Sequence, residues 1–261
     1  KSPITVRHLF THTSGFGYGF TSERLNQLRA REGYTGPADP LLFEPGSAWL
    51  YGTSTDWLGK IVASVAGCDL ESLFRRTITG PLGMHDTSYD VPTEKHPRTV
   101  NLQLRQQDGG FAEHPRQRTD AKTVYRGGGG LRSTAADYLR FLRTFLNGGQ
   151  LDGVRILTPE SVAAMGRNYI GDISLYPLRS ANLAVSRDFT FIGDPNDKFG
   201  LCFQIAASDA PGRRAAGSLN WGGLFNTYFW VDPARGLAGV ILMQFLPFAD
   251  PQALALHTEF E

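Results

Sequence analysis

Trp221-Gly222-Gly223-Leu224, followed by the alternating apolar run Thr227-Tyr-Phe-Trp-Val231, narrows the possible folds more than any other stretch of this chain. Two glycines beside a bulky aromatic remove the Cβ atoms that would hold a backbone at a distance, so this strand suits close approach to a neighbour or a ligand. Further short β-rich runs, Phe199–Ile205, Ala216–Trp221, Phe225–Val231 and Gly239–Phe245, are separated by Gly, Pro and Asp turns. That pattern predicts an antiparallel meander. From Pro251 the composition turns helical.

Upstream, the spacing predicts helices. Val6, Leu9 and Phe10 share the face of a short helix that Gly15 closes. Ser54 or Thr55 caps a second helix, with Trp57, Leu58, Ile61, Val62 and Val65 on one face and Gly67 at its end. Asp69 caps a third that runs to Ile78. Thr134 and Asp137 form a capping box before Tyr138, Phe141, Leu142 and Phe145, and Thr158-Pro159 opens another helix. Residues 17–40 read as loop with a short surface helix, and Pro92–Lys122 as a long polar excursion. The expected organisation is a mostly helical domain over residues 1–190 and a sheet portion over 191–261, with a cleft between them. Tyr51 lies between the extended Ala48–Tyr51 segment and a helix start, where a side chain reaches a cleft and the helix N-terminus favours negative charge. Its residue type alone reads as a packed aromatic.

With 26 Lys and Arg against 25 Asp and Glu, and no basic block, the charge pattern gives no case for nucleic acid or a membrane surface. Recognition therefore falls to a pocket and a small molecule. Cys68 and Cys202 are far apart and form neither a disulfide framework nor a zinc motif. His8 and His12 have the spacing of two metal ligands on a helix, but Leu9 stands where a metalloprotease needs Glu, so they read as capping or local hydrogen-bonding groups. Gly127–Gly130 precede a helix without the Gly-Lys-Ser/Thr of a phosphate cradle. No apolar run reaches the roughly 18 residues of a membrane span. No metal or other cofactor is called for.

Five blocks, in order, carry a family resemblance: Ile4-Thr-Val-Arg-His-Leu-Phe-Thr-His-Thr-Ser-Gly15, Pro45-Gly-x-x-Trp-x-Tyr51-Gly-x-Ser, Gly80-Pro-Leu-Gly-Met-x-Asp86-Thr87, Gly129-Gly-Leu-x-Ser-Thr-x-x-Asp137 and Trp221-Gly-Gly. Over nearly its whole length the chain resembles the class C β-lactamase-like serine hydrolases, and within them the family VIII carboxylesterases. The resemblance implies an α/β (α+β) fold of the β-lactamase/penicillin-binding-protein type, with an antiparallel sheet flanked by helices and a mostly helical domain. It also implies hydrolysis of short-chain esters through an acyl-enzyme, with a Ser-x-x-Lys helix, a catalytic tyrosine and a third motif on the edge strand of the sheet. A serine hydroxyl becomes nucleophilic when a base takes its proton, and a tyrosine serves as base only when a nearby cation lowers its pKa.

Carried onto this sequence, the resemblance makes Tyr51 the catalytic tyrosine, with Gly52-Thr53 departing from Tyr-Ala-Asn. It makes Trp221, Gly222 and Gly223 the pocket motif in its esterase form, with the Leu224 amide as an oxyanion donor. β-Lactamases carry Lys-Thr-Gly there, and the missing cation points to neutral esters. No Ser-x-x-Lys occurs in the 261 residues; Thr119 ahead of Lys122 has the spacing only within the polar excursion. The first strands, the nucleophile helix and its Ser and Lys are therefore expected outside this chain. Alternatives are a β-lactamase or D-alanyl-D-alanine peptidase, an acyltransferase, and a non-catalytic binding homologue.

Overall fold

The computed structural model describes residues 2–32, 40–114, 124–175, 177–189, 194, 196–209 and 211–261. Seven α-helices are described: α1 Val6–Phe10, α2 Glu23–Glu32, α3 Ser54–Ala66, α4 Leu70–Phe74, α5 Ala135–Leu146, α6 Pro159–Met165 and α7 Pro251–Phe260. The strands are β1 Leu102–Arg105, β2 Phe111–His114, β3 Gln150–Leu151, β4 Val154–Arg155, β5 Lys198–Phe199, β6 Gln204–Ile205, β7 Leu219–Gly223, β8 Thr227–Asp232, β9 Leu237–Ile241 and β10 Phe245–Leu246.

The meander forms an antiparallel sheet in the order β5-β6-β7-β8-β9. Helix α5 covers one face because Leu142 and Phe145, three apart and fully buried, meet Leu219, Val231 and Val240, which strand alternation places on the same side. Thr134 caps α5 by accepting from the Asp137 amide. The reciprocal half of the box is absent, since the Asp137 carboxylate accepts instead from the Asp86 amide at 2.7 Å and the Thr87 hydroxyl at 2.9 Å. Leu142→Ala leaves a cavity at the centre of this layer and is expected to lower stability by about 3 kcal/mol, read as a shifted urea midpoint.

Several local expectations give way to longer-range contacts. Helix α1 stops at Phe10, and the left-handed residue after it is His12, at φ 54°, not Gly15. Gly15 is required where it stands, because a Cβ there would lie 2.6 Å from the Phe43 carbonyl oxygen. Thr53 rather than Ser54 or Thr55 occupies the N-cap of α3, while the Ser54 hydroxyl bonds the buried Ser14 hydroxyl at 2.8 Å. Asp69 caps α4 as expected, and the helix continues through a wider turn over Arg75–Thr79.

The polar excursion is not irregular throughout. Its described part holds the hairpin β1–β2, turned at Asp108-Gly109-Gly110, and β1 runs parallel to β10. Residues 115–123, including Thr119 and Lys122, lie outside the described residues. Arg105 of β1 ties this hairpin to α7, its guanidinium 2.5 Å from the Asp250 carboxylate and 4.5 Å from the Phe111 ring centroid. Asp250 in turn caps α7 through the Gln252 and Ala253 amides.

Candidate active site

Tyr51 is placed by backbone bonds that reach back to the α1 segment. The Leu50 amide donates to the His12 carbonyl at 3.0 Å and the Gly46 amide to the Thr13 carbonyl at 2.8 Å. Gly52 follows Tyr51 because a Cβ there would meet the Phe16 carbonyl oxygen at 2.3 Å and Gly17 Cα at 2.5 Å. This crossing requires glycine where Tyr-Ala-Asn has alanine.

The Tyr51 ring is half-buried among aromatics. Trp221 lies edge-on with ring centroids 5.0 Å apart, His12 at 4.9 Å and Tyr18 at 5.2 Å. Phe199 and Trp49 complete the wall. Desolvation above all pushes the Tyr51 phenol up to about 12; hydrogen bonds from Trp221 and Tyr18 act against it, and the charge of Asp56 in the first turn of α3 acts with it. The N-terminal turn of α3 therefore brings a carboxylate near Tyr51. Asp56 is held by Arg126 at 3.5 Å and by the Gly128 amide at 3.0 Å.

Trp221, Gly222 and Gly223 lie on β7, the third strand of five, where an edge strand was expected. Among the described residues only Leu219 and Asn220 pair with β6, so the Trp221–Gly223 half has a strand on the β8 side alone. Gly223 turns its carbonyl to the Asn226 amide within the hairpin, and alternation then points the Gly222 peptide groups to the open side. The Leu224 amide has no backbone partner among the described residues. A Cβ on Gly223 would lie 2.2 Å from Thr227 Oγ1.

Two neighbours of Tyr51 carried no functional signal in the sequence reading. Tyr18 was placed in loop, although its flanking Gly17 and Gly19 mark close approach: a Cβ on Gly17 would sit 2.9 Å from Leu42 Cδ1. His12 was grouped with His8, and only His8 behaves as a cap, bonding the Thr5 amide through Nδ1 at 3.3 Å. Among the described residues neither histidine belongs to a group of His, Cys, Asp or Glu that could hold a metal ion. Cys202 also faces this region; it is a free thiol at φ 67°, and burial raises its pKa to about 12.

Burial lowers His12 to about 3 and His257 to about 4; Glu261 opposes the shift at His257, whereas Arg214 and Arg213 add to it. Both values lie below the ordinary 6.5, so between them and 6.5 the unfolded chain binds more protons than the folded one. The stability these neutral rings contribute is complete above pH 6.5 and is lost as pH falls through that window, at about 1.4 kcal/mol per pH unit for each. The melting temperature is expected to fall between about pH 7.5 and about pH 4.5, with a shallower slope in His12→Phe.

The fold is that of the β-lactamases and penicillin-binding proteins. The structure of a simvastatin synthase variant from Aspergillus terreus superimposes on 100% of this chain and 65% of its own length, with a TM-score of 0.84 and 30% identity. The chain belongs to the beta-lactamase family, whose model matches residues 1–259. Among curated proteins it is 33% identical to the acyltransferase calJ of Penicillium decumbens, over 98% of this chain and 65% of that protein. It is 29% identical to the lovastatin esterase of Penicillium rubens, over 93% of this chain and 64% of that protein. The chain thus spans about two thirds of the length of these relatives, which are acyl-transferring and ester-hydrolysing members of one serine hydrolase superfamily.

Proposed function

We propose that this chain carries the tyrosine and the oxyanion wall of a site that moves acyl groups through an acyl-enzyme, acting as a carboxylesterase on short-chain neutral esters. The observation that carries this reading is the Tyr51 hydroxyl bonded to Trp221 beside the half of β7 that β6 leaves open. In this reading Tyr51 is the base for the serine proton, Trp221, Gly222 and Gly223 line the acyl pocket, and the Leu224 amide stabilises the oxyanion. The Ser-x-x-Lys pair that the chemistry needs is not among the 261 residues. A lysine ammonium beside Tyr51 would supply the cation that brings its phenol down toward the working range.

Acyl transfer to an alcohol is the second reading, favoured by the names of the relatives calJ and simvastatin synthase. It differs only in what attacks the acyl-enzyme. The two separate when the full-length protein is given a p-nitrophenyl ester with and without an alcohol acceptor, since an acyltransferase forms the new ester in preference to free acid. Saturable cephalosporin hydrolysis with negligible ester turnover would overturn both. The 261-residue chain by itself is expected to show no ester turnover above background, and turnover that Tyr51→Phe abolished would contradict that.

A further inference from the structure

Asn226 occupies an unusual position just past the glycine pair. It is fully buried, stands at φ 61°, and uses every side-chain hydrogen-bonding direction within the protein. Its Nδ2 donates to the Phe245 carbonyl at 3.0 Å and the Pro247 carbonyl at 2.9 Å, while its Oδ1 accepts from the Tyr228 hydroxyl at 2.8 Å and the Asp250 amide at 3.4 Å. Its own amide closes the turn onto the Gly223 carbonyl at 3.0 Å. The Phe245 amide also reaches back to the Phe225 carbonyl at 3.3 Å.

The turn Gly223–Asn226 is thus stapled to the strand β10 and to the first residue before α7, elements that the Arg105–Asp250 pair holds in place from the other side. Asparagine tolerates the left-handed region better than most residues, yet glycine would satisfy the backbone equally. What glycine lacks is the four-way staple. The residue carried by that turn, two positions earlier, is Leu224, whose amide is unpartnered and stands at the open end of β7.

We propose that Asn226 is the positioning residue of the oxyanion site: it fixes the hairpin turn so that the Leu224 amide is held at one place and direction before substrate arrives. This rests on the reading of Leu224 as an oxyanion donor. A preorganised donor lowers the barrier because no reorganisation is needed when charge develops. A displacement of about 1 Å, caused by a change away from the reacting atoms, is enough to lower the rate on the order of 100-fold.

The test compares Asn226→Gly, Tyr228→Phe and Tyr51→Phe in the full-length protein, with a p-nitrophenyl ester as substrate and an alkylboronic acid as a mimic of the tetrahedral intermediate. Asn226→Gly keeps the backbone conformation and removes only the staple. It is expected to lower kcat at least about tenfold while KM stays within about threefold, and to weaken boronic-acid binding in parallel with kcat. Tyr228→Phe removes one bond of the four and is expected to give a smaller loss of the same kind. A merely structural role would lower the melting temperature without this split between kcat and KM. Wild-type kcat in a folded Asn226→Gly protein overturns the proposal. If Tyr51→Phe abolishes turnover in that same experiment, the failure belongs to Asn226 alone; if Tyr51→Phe is also silent, the reading of the site falls with it.

Discussion

Replacing Tyr51 by phenylalanine in the full-length protein is expected to lower kcat for a short-chain ester by about 10²–10⁴-fold, the range that a positioned general base contributes. The ring contacts with Trp221 and His12, at 5.0 and 4.9 Å between centroids, do not involve the hydroxyl and survive the change. The loss in stability is therefore limited to about 1–3 kcal/mol for the hydrogen bonds to Trp221 and Tyr18 that are removed. Stopped assays of kcat alongside thermal unfolding separate the two effects. A variant that keeps more than a tenth of the wild-type rate would show that another group takes the serine proton. In the 261-residue chain, which lacks the Ser-x-x-Lys lysine, the phenol can be followed by alkaline absorbance titration, where Tyr51, pushed up to about 12 by burial, is expected to ionise late.

Gly52→Ala is expected to have the largest effect on folding. Its new Cβ would stand 2.3 Å from the Phe16 carbonyl oxygen and 2.5 Å from Gly17 Cα, and neither backbone atom can swing aside as a side-chain end would. The crossing must open, at a cost of about 3 kcal/mol or more. Gly67→Ala serves as the contrast. There nothing lies within 4 Å of the added Cβ, and only the left-handed backbone at φ 64° resists it, at about 1–2 kcal/mol. Urea midpoints for the two variants that came out equal would mean that close approach at Gly52 is not what the structure shows. Because the Phe16–Gly17 segment leads directly to Tyr18, opening this crossing also disturbs the pair of phenols.

What the sequence made legible was periodicity. The apolar positions of α5 and the short runs of the meander each repeat at their own spacing, and burying them in one layer needs no distant information. The hairpin β1–β2 escaped because Gln103 and Arg105 alternate with only Leu102 and Leu104, a weak pattern inside a polar stretch. Its stability comes from β10, whose register with β1 pairs Gln103 with Phe245. Local propensity cannot reveal a partner so far along the chain. The turn Asp108-Gly109-Gly110 was the available signal.

The site divides in the same way. Trp221-Gly222-Gly223 was visible as a backbone built for close approach, whereas its half-open edge depends on β6 beginning only at Gln204, opposite Asn220. Tyr51 was marked only by family resemblance, since an aromatic between a strand-like segment and a helix is ordinarily a packing residue. It packs as that prior expects, and its hydroxyl is bonded as well. His12 and Tyr18 could not be assigned, because what distinguishes them is the ring they touch rather than the residues beside them. Leu50 and Gly46 supply those contacts by bonding the carbonyls of His12 and Thr13.

The aromatic wall has an optical consequence. Trp49 and Trp221 are two of the four tryptophans in the chain, and both lie within the cluster that holds Tyr51. Light absorbed by the Tyr51 phenol is within easy transfer range of an indole 5.0 Å away, and the neutral His12 ring beside Trp221 is a weaker quencher than an imidazolium. A molecule that wedges between these rings changes both the transfer and the polarity the indole senses. The protein thus carries intrinsic fluorophores in the ring cluster around Tyr51, and occupancy of the proposed site can be followed by emission without any label.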